Sequence, residues 1–499
     1  MSEFGDGAPQ RWRVYTLLIV VVAGMVTGRI FNTQRVYEPE LARDPNDPAD
    51  WRSAWPSTRP TPMPTFGSND RSRWATIRAL VDHGTYVIGR RDPAAANAQN
   101  PYGDSGIVFE SGWETVDKVL HPERQEFYSS KPPLLPTLVA GEYALLKHLC
   151  GWSITEYPQR VVRVILLTVN LIPFVLYLVL LARLVERYSV TDWGRLYVMG
   201  VACFGTFLTT FAVTLNNHTV AAHCALFALY LALRIWNDGE RSPALFLGAG
   251  FLTALTAAVE LPALAFAAAL TAALLWRSPR PTLCYFLPAA LVPAAAFFLT
   301  NYLALGRWTP AYGEFGGPWY EYPGSHWLKA RDGTPHGIDW AGERESRAAY
   351  VLHFLVGHHG LLSLTPVNVL ALVGMVWASH RALRQWLRVR SANGPAIGPL
   401  APLGVLTLVL TVVVTGFYLV RTSNYGGNTS GPRWLFWLTP FWLLTLLPVA
   451  DWLATRRWGR GLGHALLLIS VVSVSYPAWN PWRQPWLYQW MEIIGWIQY

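Results

Sequence analysis

The chain has 499 residues, of which 52% are hydrophobic and 14% are charged, and its formal net charge is +9. Several apolar runs reach the ~20 residues that a helix needs to cross a bilayer, which excludes a soluble globular protein. The arginines cluster in short connections between those runs, as in the cytoplasmic loops of membrane proteins, so the positive charge does not indicate a nucleic-acid partner. The four cysteines lie in or beside apolar runs, and neither a disulfide nor a thiolate metal site is expected. The composition predicts an all-α polytopic membrane protein.

The first apolar run, 14–32, follows Arg11 and Arg13 and precedes no small-residue cleavage site, so it is predicted to be an anchor with a cytoplasmic N-terminus. The further spans fall near 162–182, 195–215, 217–236, 243–259, 261–277, 283–304, 351–378, 401–420, 433–450 and 463–477. This makes about eleven transmembrane helices. If the spans alternate in direction, the basic clusters between them all fall on the cytoplasmic side, and this agreement supports the number.

One apolar segment does not fit the alternation. It is "KPPLLPTLVAGEYALLKHL" at 131–149, and both of its ends must be external if the span at 162–182 is to end in the cytoplasm at Arg183. We therefore predict a re-entrant or interfacial helix, which is tolerated only where it packs on protein.

Two long polar segments divide the chain. The predicted parts are a cytoplasmic N-terminus with the first transmembrane helix (1–32), a large external loop with catalytic helices (33–130), a transmembrane core (131–304), a second external loop (305–350), C-terminal transmembrane helices (351–478) and an interfacial Trp-rich tail (479–499). With this topology the polar clusters of the chain meet at the external face. A site there cannot use cytoplasmic nucleotide sugars or ATP, so an activated donor must be carried by a lipid.

Two carboxylates are candidate general bases. Asp70, in "GSNDRSRW" at 67–74, stands at the start of a helical pattern over 70–83 and is predicted to cap it. A carboxylate held there could also act as a base, with its pKa set by burial and by Arg71 and Arg73. Asp117, in "ETVDKV", is the reserve candidate if Asp70 is only a helix cap.

Two cations are candidate phosphate ligands. Lys131, in "SSKPPLLP", precedes Pro132 at a predicted helix start, where an ammonium beside backbone donors suits a phosphate; the alternative is a turn with a snorkelling lysine. "YGGNTSGPRW" at 425–434 combines glycines, which let backbone approach a ligand, with the bidentate fork of Arg433. An arginine that enters an apolar run is costly unless it is paired.

Other ionisable groups lie within or beside the spans. Glu260, in "AAVELPALAF", is either functional or a structural hydrogen-bond partner within a helix pair. Histidines at 218, 223, 353, 358 and 359 include spacings that could hold a metal, but no specific metal-binding pattern is present. No metal ligand is therefore predicted.

An acidic residue near the start of a long first loop ("NDRSRW"), a "KPPL" motif that closes this loop and a late "GG…GPR" motif occur in this order. They resemble the GT-C superfamily of integral membrane glycosyltransferases, and are similar to bacterial protein O-mannosyltransferases and to lipid A aminoarabinose transferase-like enzymes. "GLLSLTP" and "ELPAL" also look like segments of bacterial members. The chain departs from the family where the second acidic residue of the first motif is usual, because Arg71 stands there.

The resemblance implies transfer of a sugar from a polyprenyl phosphate to a hydroxyl or amine of a lipid, glycan or protein acceptor, normally with inversion. It implies a bacterial inner membrane location with the site on the periplasmic side, membrane lipids as partners and no nucleic acid. No cofactor is required, although use of a divalent metal is left open. The implied site has Asp70 or Asp117 as base, Lys131, Arg433, Arg71 and Tyr425 at the lipid phosphate, and His218, Glu260, His358, His359 and Asn424 lining the substrate.

Two other classes of protein remain as alternatives. A lipid-linked saccharide transporter or flippase should show inverted repeats and broken helices near mid-membrane, and no internal repeat is visible. A polysaccharide ligase or polymerase typically places its long loop late in the chain, whereas here the longest loop comes first.

Overall fold

The structure is a computed structural model that describes residues 7–35, 61–328, 337–389 and 400–499. Its helices are α1 (Ala8–Asn32), α2 (Asn69–His83), α3 (Leu134–Cys150), α4 (Pro158–Leu166), α5 (Ile172–Tyr188), α6 (Asp192–Phe204), α7 (Leu208–Phe211), α8 (Asn217–Asn237), α9 (Pro243–Val259), α10 (Leu264–Arg277), α11 (Pro279–Pro281), α12 (Leu287–Leu305), α13 (Ala341–Arg344), α14 (Arg347–Leu355), α15 (Val367–Val389), α16 (Ala401–Arg421), α17 (Thr439–Ala454), α18 (Arg457–Ser475) and α19 (Trp486–Ile493). The strands are β1 (Gly89–Arg91), β2 (Asp104–Ser105), β3 (Lys118–Leu120) and β4 (Glu126–Ser129). Parts of both predicted external loops, 36–60 and 329–336, lie outside the described residues.

Seven helical segments of the described chain are long and apolar enough to cross a membrane, and two further apolar helices are shorter. The long segments are Ala8–Asn32, Pro158–Tyr188, Asn217–Asn237, Pro279–Leu305, Ala401–Arg421, Arg433–Ala454 and Arg457–Ser475. The short ones are Pro243–Val259 and Leu261–Arg277. The chain is thus a mostly helical integral membrane protein, but the predicted number of eleven spans is not confirmed.

Two predicted spans are interrupted. Instead of a span over 195–215, α6 ends at Phe204, and only the single turn of α7 follows it. Instead of a span over 351–378, α14 ends at Leu355 and α15 begins at Val367. Gly205 follows α6, and Gly357, Gly360 and Pro366 lie between α14 and α15. Such residues break helices even within apolar sequence.

The all-α prediction missed a small antiparallel sheet in the first polar segment. Its strand order is β2-β1-β4-β3, and β3 and β4 form a hairpin in which Lys118 pairs with Ser129. Each strand has four residues or fewer, which is too short for the alternating pattern that identifies a strand in sequence. The sheet matters for the site because the hairpin places Asp117 beside Ser130.

The predicted helix near 131–149 is present as α3, and the helix over 70–83 is present as α2. The two helices pack together through Asp82 of α2, which accepts from the Tyr143 hydroxyl at 3.0 Å and from the Lys147 ammonium at 2.8 Å. α3 is not among the helices long enough to span a membrane. Its predicted re-entrant or interfacial position stays a prediction.

Ion pairs close one end of the helix bundle. Arg11 of α1 makes a bidentate pair with Glu186 of α5 at 2.8 Å and also contacts Asp192 of α6 at 2.9 Å. Asp451, near the end of α17, accepts from the Ser189 hydroxyl at 2.8 Å and from the Thr191 amide at 2.9 Å. We call this end of the bundle the paired end. We call the opposite end, where α2 and α8 begin and where Arg433 lies, the site end.

Candidate functional site

The β3–β4 hairpin brings Asp117 to Lys131. The Ser130 amide donates to the Asp117 carbonyl at 3.2 Å, and Lys131 Nζ lies 2.6 Å from Asp117 Oδ1. Burial raises the pKa of the Asp117 carboxyl, but the Lys131 ammonium and the Ser68 hydroxyl outweigh it, so that this pKa is lowered overall. Asp117 is therefore an ionised, nearly buried carboxylate.

The turn before α2 closes over this pair. Ser68 has a φ of 63°, which is rare for a residue other than glycine and indicates backbone strain that neighbouring contacts must hold. Its hydroxyl donates to Asp117 Oδ2 at 2.8 Å, and its carbonyl accepts from the Thr115 hydroxyl at 2.7 Å. Ser72 donates to the Asp117 carbonyl at 2.6 Å and lies 2.6 Å from the Ser129 hydroxyl. The start of α2 is thus tied to both strands of the hairpin.

Asp70 lies beside this cluster but faces the protein core. Its carboxylate accepts from the Phe66 amide at 2.9 Å, the Trp74 indole at 2.9 Å and the Leu215 amide at 2.8 Å. Burial raises the pKa of Asp70 to about 6, against these three donors. The predicted helix-cap role is wrong, because the Asp70 side chain caps no amide of α2. Its contacts instead fasten α2 to the segment before α8.

The two arginines after Asp70 have different partners. Arg71 donates to the Thr65 carbonyl at 3.3 Å and to the Glu114 carbonyl at 3.2 Å. Arg73 donates to the Asn69 carbonyl at 3.0 Å and to Asn217 Oδ1 at 2.6 Å. It is 1% exposed, and burial followed by the charge of Arg433 lowers the pKa of Arg73 to about 10. Phosphate binding by Arg71 stays a prediction, and Arg73 was not among the predicted phosphate ligands.

A buried polar chain leads from Arg73 to Arg433. Asn217 donates to Glu260 Oε2 at 2.8 Å, and His218 Nδ1 lies 2.6 Å from the same oxygen. The Tyr418 hydroxyl donates to Glu260 Oε1 at 3.3 Å. Glu260 is the residue at which α9 ends, so the carboxylate joins α8, α9 and α16. Neither Asn217 nor Tyr418 was among the predicted site residues. Asn217 belongs to the polar segment "LNNHTVAAH" at 215–223, from which only His218 was chosen, and Tyr418 is a single phenol in an apolar run that gives no functional signal.

Arg433 completes the site. Its Nη2 donates to the Gly426 carbonyl at 2.8 Å, its Nη1 lies 3.3 Å from His218 Nε2, and its Cζ lies 5.0 Å from the centre of the Trp482 ring. Because a guanidinium only donates, His218 Nε2 must be the unprotonated nitrogen and Nδ1 must donate to Glu260. Trp482 belongs to the tail that was predicted to be only interfacial.

Arg73, Lys131 and Arg433 form what we call the cation group. Burial lowers the pKa of Lys131, Asp117 opposes this, and the charges of Arg433 and Arg73 lower it further. The charge of Arg433 thus acts on Lys131 despite their separation in sequence, and the prediction that the two bind one anion stays a prediction. Within the described residues, neither Arg73 nor Arg433 contacts a carboxylate oxygen.

Three predicted site residues lie in a second cluster. The Tyr425 hydroxyl donates to Glu345 Oε1, and its ring stacks on His359 with centroids 5.0 Å apart. His358 lies 2.6 Å from His359 between their Nδ1 atoms and 2.9 Å from the Tyr499 hydroxyl. None of these side chains has a direct contact with the cation group in the described structure.

The remaining predictions concern Asn424 and a metal. Asn424 Oδ1 accepts from the Gly426 amide at 3.2 Å, so this side chain stabilises the turn and does not line the polar chain. In the parts of the chain that the structure describes, no three His, Cys, Asp or Glu side chains come together as a metal site requires. No residues can therefore be named for a divalent ion.

Comparisons with known proteins give similarity to solved structures alone, since no family model and no curated protein matches the chain. The oligosaccharyltransferase of Archaeoglobus fulgidus in its apo form is 13% identical, with a TM-score of 0.44 over 97% of this chain and 57% of that one. The archaeal oligosaccharyltransferase AglB from the same organism, in complex with an inhibitory peptide and a dolichol-phosphate, is 14% identical with a TM-score of 0.42 and the same coverage.

Both matches are named as oligosaccharyltransferases. The chain spans 57% of the length of either match, and the overall similarity is low. The residues of this chain must therefore carry any assignment of activity.

Proposed function

We propose that the chain is a GT-C-type glycosyltransferase that takes a sugar from a polyprenyl-phosphate donor. The observation that carries this proposal is the cation group. Arg73 is buried without a carboxylate contact, and Arg433 beside it has only a carbonyl, an imidazole and an indole ring as partners. Asp117 and Glu260 act on both guanidinium groups only through space. A buried cation without a carboxylate in direct contact is costly, so this arrangement fits a protein that receives an anion.

The anion that fits best is a phosphate ester. Arginine forks match phosphate oxygens, and an ammonium such as that of Lys131 adds a point charge. In a membrane protein, such a phosphate is supplied most directly by a lipid whose chains lie among the spans. The sugar and the acceptor remain to be identified, the acceptor being a lipid, a glycan or a protein.

Asp117 is the proposed general base. It takes the proton of the acceptor hydroxyl or amine while the acceptor atom bonds to the anomeric carbon of the sugar. The bond from that carbon to the phosphate oxygen breaks, and its electron pair stays on the phosphate beside Lys131 and Arg433. Attack on the face opposite the phosphate inverts the anomeric carbon.

The contacts of the two carboxylates favour Asp117 over Asp70 as the base. Both carboxylates are buried, and each has three donors. The donors to Asp70 are two backbone amides and an indole, whereas those to Asp117 are the hydroxyls of Ser68 and Ser130 and the ammonium of Lys131, and an incoming phosphate competes for that ammonium. When Lys131 turns toward the phosphate, the charge that lowers the pKa of Asp117 is shared, and the carboxylate becomes more basic.

Binding of a polyprenyl phosphate without sugar tests the anion site directly. Purified protein in nanodiscs should unfold at a higher temperature as this lipid is added, because a ligand that binds the native state stabilises it. A polyprenol of equal length and inorganic phosphate are the controls, and neither should match the lipid phosphate. Stabilisation by the polyprenol alone, or by inorganic phosphate to the same degree, would contradict a lipid-phosphate site.

We also propose that the site end faces outward across a bacterial inner membrane. Cysteine labelling tests this with residue 155, between α3 and α4, and residue 239, between α8 and α9, both of which are exposed. The exposed Cys150 and Cys284 are first replaced by serine. An impermeant reagent should label position 155 and not position 239 in intact cells. Labelling of position 239 alone would show that the site end faces the cytoplasm.

A further inference from the structure

The turn that holds Arg433 has an unusual backbone. Tyr425, Gly426 and Gly427 have φ values of 55°, 95° and 73°, so three successive residues are left-handed. Glycine adopts this conformation freely, but a tyrosine does so only at an energetic cost that other contacts must cover. The Gly426 carbonyl, which accepts from Arg433 at 2.8 Å, lies within this turn. The conformation of Tyr425 therefore affects where the guanidinium is held.

Contacts from outside the turn hold Tyr425 in place. Its side chain is buried between the ring of His359, 5.0 Å away, and that of Tyr350, 4.8 Å away. Its hydroxyl donates to Glu345, which stands directly after α13. Glu345 uses its other oxygen to accept from the Tyr499 hydroxyl at 2.9 Å. Of the two tyrosines that this carboxylate holds, only Tyr425 belongs to the Arg433 turn.

We propose that Glu345 is a positioning residue, which acts through Tyr425 and the Gly426 carbonyl to orient Arg433 toward an anion. Glu345 itself touches neither the cation group nor the polar chain within the described residues. Its function for a lipid phosphate rests on the proposed function given above. The mechanical link from Glu345 to the turn does not depend on which ligand binds.

The chain offers matched variants for this link. Tyr425→Phe removes the hydroxyl that joins the turn to Glu345. Tyr499→Phe removes the other hydroxyl on the same carboxylate, which also contacts His358, and keeps the direct bond from the turn to Glu345. Glu345→Ala should weaken polyprenyl-phosphate binding about five- to tenfold, which is less than the loss of a direct charged contact would cause because Glu345 acts through the turn, and Tyr425→Phe should do the same. Tyr499→Phe should stay within about twofold of wild type.

Three further measurements separate positioning from general damage to the fold. The double variant Glu345→Ala/Tyr425→Phe should bind no more weakly than either single one, because both remove the same contact. Glu345→Gln keeps an acceptor oxygen for Tyr425 and should recover at least half of the lost affinity. In turnover, the variants should raise the donor KM and leave kcat nearly unchanged. Additive losses, or equal losses in Tyr499→Phe, would overturn the proposal.

Hydrogen exchange reports on the turn without any ligand. The amides of 424–433 should exchange faster in Glu345→Ala and Tyr425→Phe than in wild type or Tyr499→Phe. Unchanged exchange in both variants would overturn the proposal even if lipid binding fell. If exchange rises as expected but wild type binds no polyprenyl phosphate, the link to Arg433 stands and the proposed function fails.

Discussion

The two ends of the helix bundle treat buried arginines in opposite ways. At the paired end, Arg11 meets two carboxylates, and Glu186 receives both a bidentate guanidinium and the Tyr15 hydroxyl. At the site end, Arg73 is as deeply buried, yet its partners are the neutral oxygens of Asn69 and Asn217.

This difference separates structural from functional charge. A buried ion pair with every donor satisfied contributes little net stability, but it fixes which helices lie together, and removing one partner is costly. The cost of burying a cation among neutral groups must be compensated by the rest of the fold. The positive charge of such a cation can then bind an anionic ligand. The site end is therefore where loss of a side chain should change activity, and the paired end is where it should change stability.

The largest effect is expected at Asp117. Asp117→Asn removes the proposed base and should lower transfer by roughly 10²–10⁴-fold at saturating donor, with the protein still folded. The measurement is single-turnover transfer from a polyprenyl-phosphate sugar. Asp82→Asn is the matched control, because Asp82 also pairs with a lysine, Lys147, and lies away from the cation group. Equal losses of transfer in the two variants would show that breaking any buried Asp–Lys pair lowers the rate, and would contradict the role of Asp117 as base.

The paired end should respond in stability alone. Glu186→Gln leaves the buried Arg11 without its bidentate partner and should lower the free energy of unfolding by about 3–5 kcal/mol. Binding of polyprenyl phosphate by the remaining folded protein should not change. Glu240→Gln breaks the partly exposed pair with Arg234 and should cost no more than about 1 kcal/mol. A change in lipid affinity in Glu186→Gln would show that the paired end also affects ligand binding, and would contradict a purely structural role for Arg11 and Glu186.

The cation group should respond in donor affinity. Lys131→Ala and Arg433→Ala should each raise the donor KM more than tenfold, since a charged contact contributes about 1.5–3 kcal/mol. Lys147→Ala removes a lysine that is paired with Asp82 at 2.8 Å and should leave the donor KM unchanged. Unchanged donor kinetics in both site variants would remove the assignment of the headgroup to this group.

The site residues that could be predicted from the sequence are those whose charge is unusual in an apolar chain. Glu260 stands out because ionisable groups are rare among membrane spans, Arg433 because it opens an apolar run, and Lys131 because it precedes Pro132 at a predicted helix start. The helices α2 and α3 could be predicted from their apolar pattern. The charge of Arg433 acts on Lys131 in the structure, and their binding of one anion stays a prediction.

What the sequence could not provide is the direction of individual side chains. Asp70 and Arg73 are three residues apart on one helix and both reach the chain around the start of α8, where Asp70 accepts from the Leu215 amide and Arg73 donates to Asn217. Which of them reaches the site depends on how α2 docks against the hairpin, and that docking depends on strands too short to predict. The Tyr425 contact with Glu345 likewise depends on a left-handed turn that only tertiary contacts select.

The smallest effect is expected at Asp70, which tests whether this carboxylate belongs to structure or to chemistry. Its pKa is raised to about 6, so the native state holds this proton more tightly than the unfolded chain, and the contribution of Asp70 to stability is lost as the pH rises through 6. Between pH 5 and pH 7, wild type should lose about 1 kcal/mol relative to Asp70→Asn, which does not titrate. Thermal unfolding of both proteins at the two pH values measures this difference. Transfer per folded Asp70→Asn molecule should stay within about tenfold of wild type, and a loss as large as that in Asp117→Asn would return the role of base to Asp70.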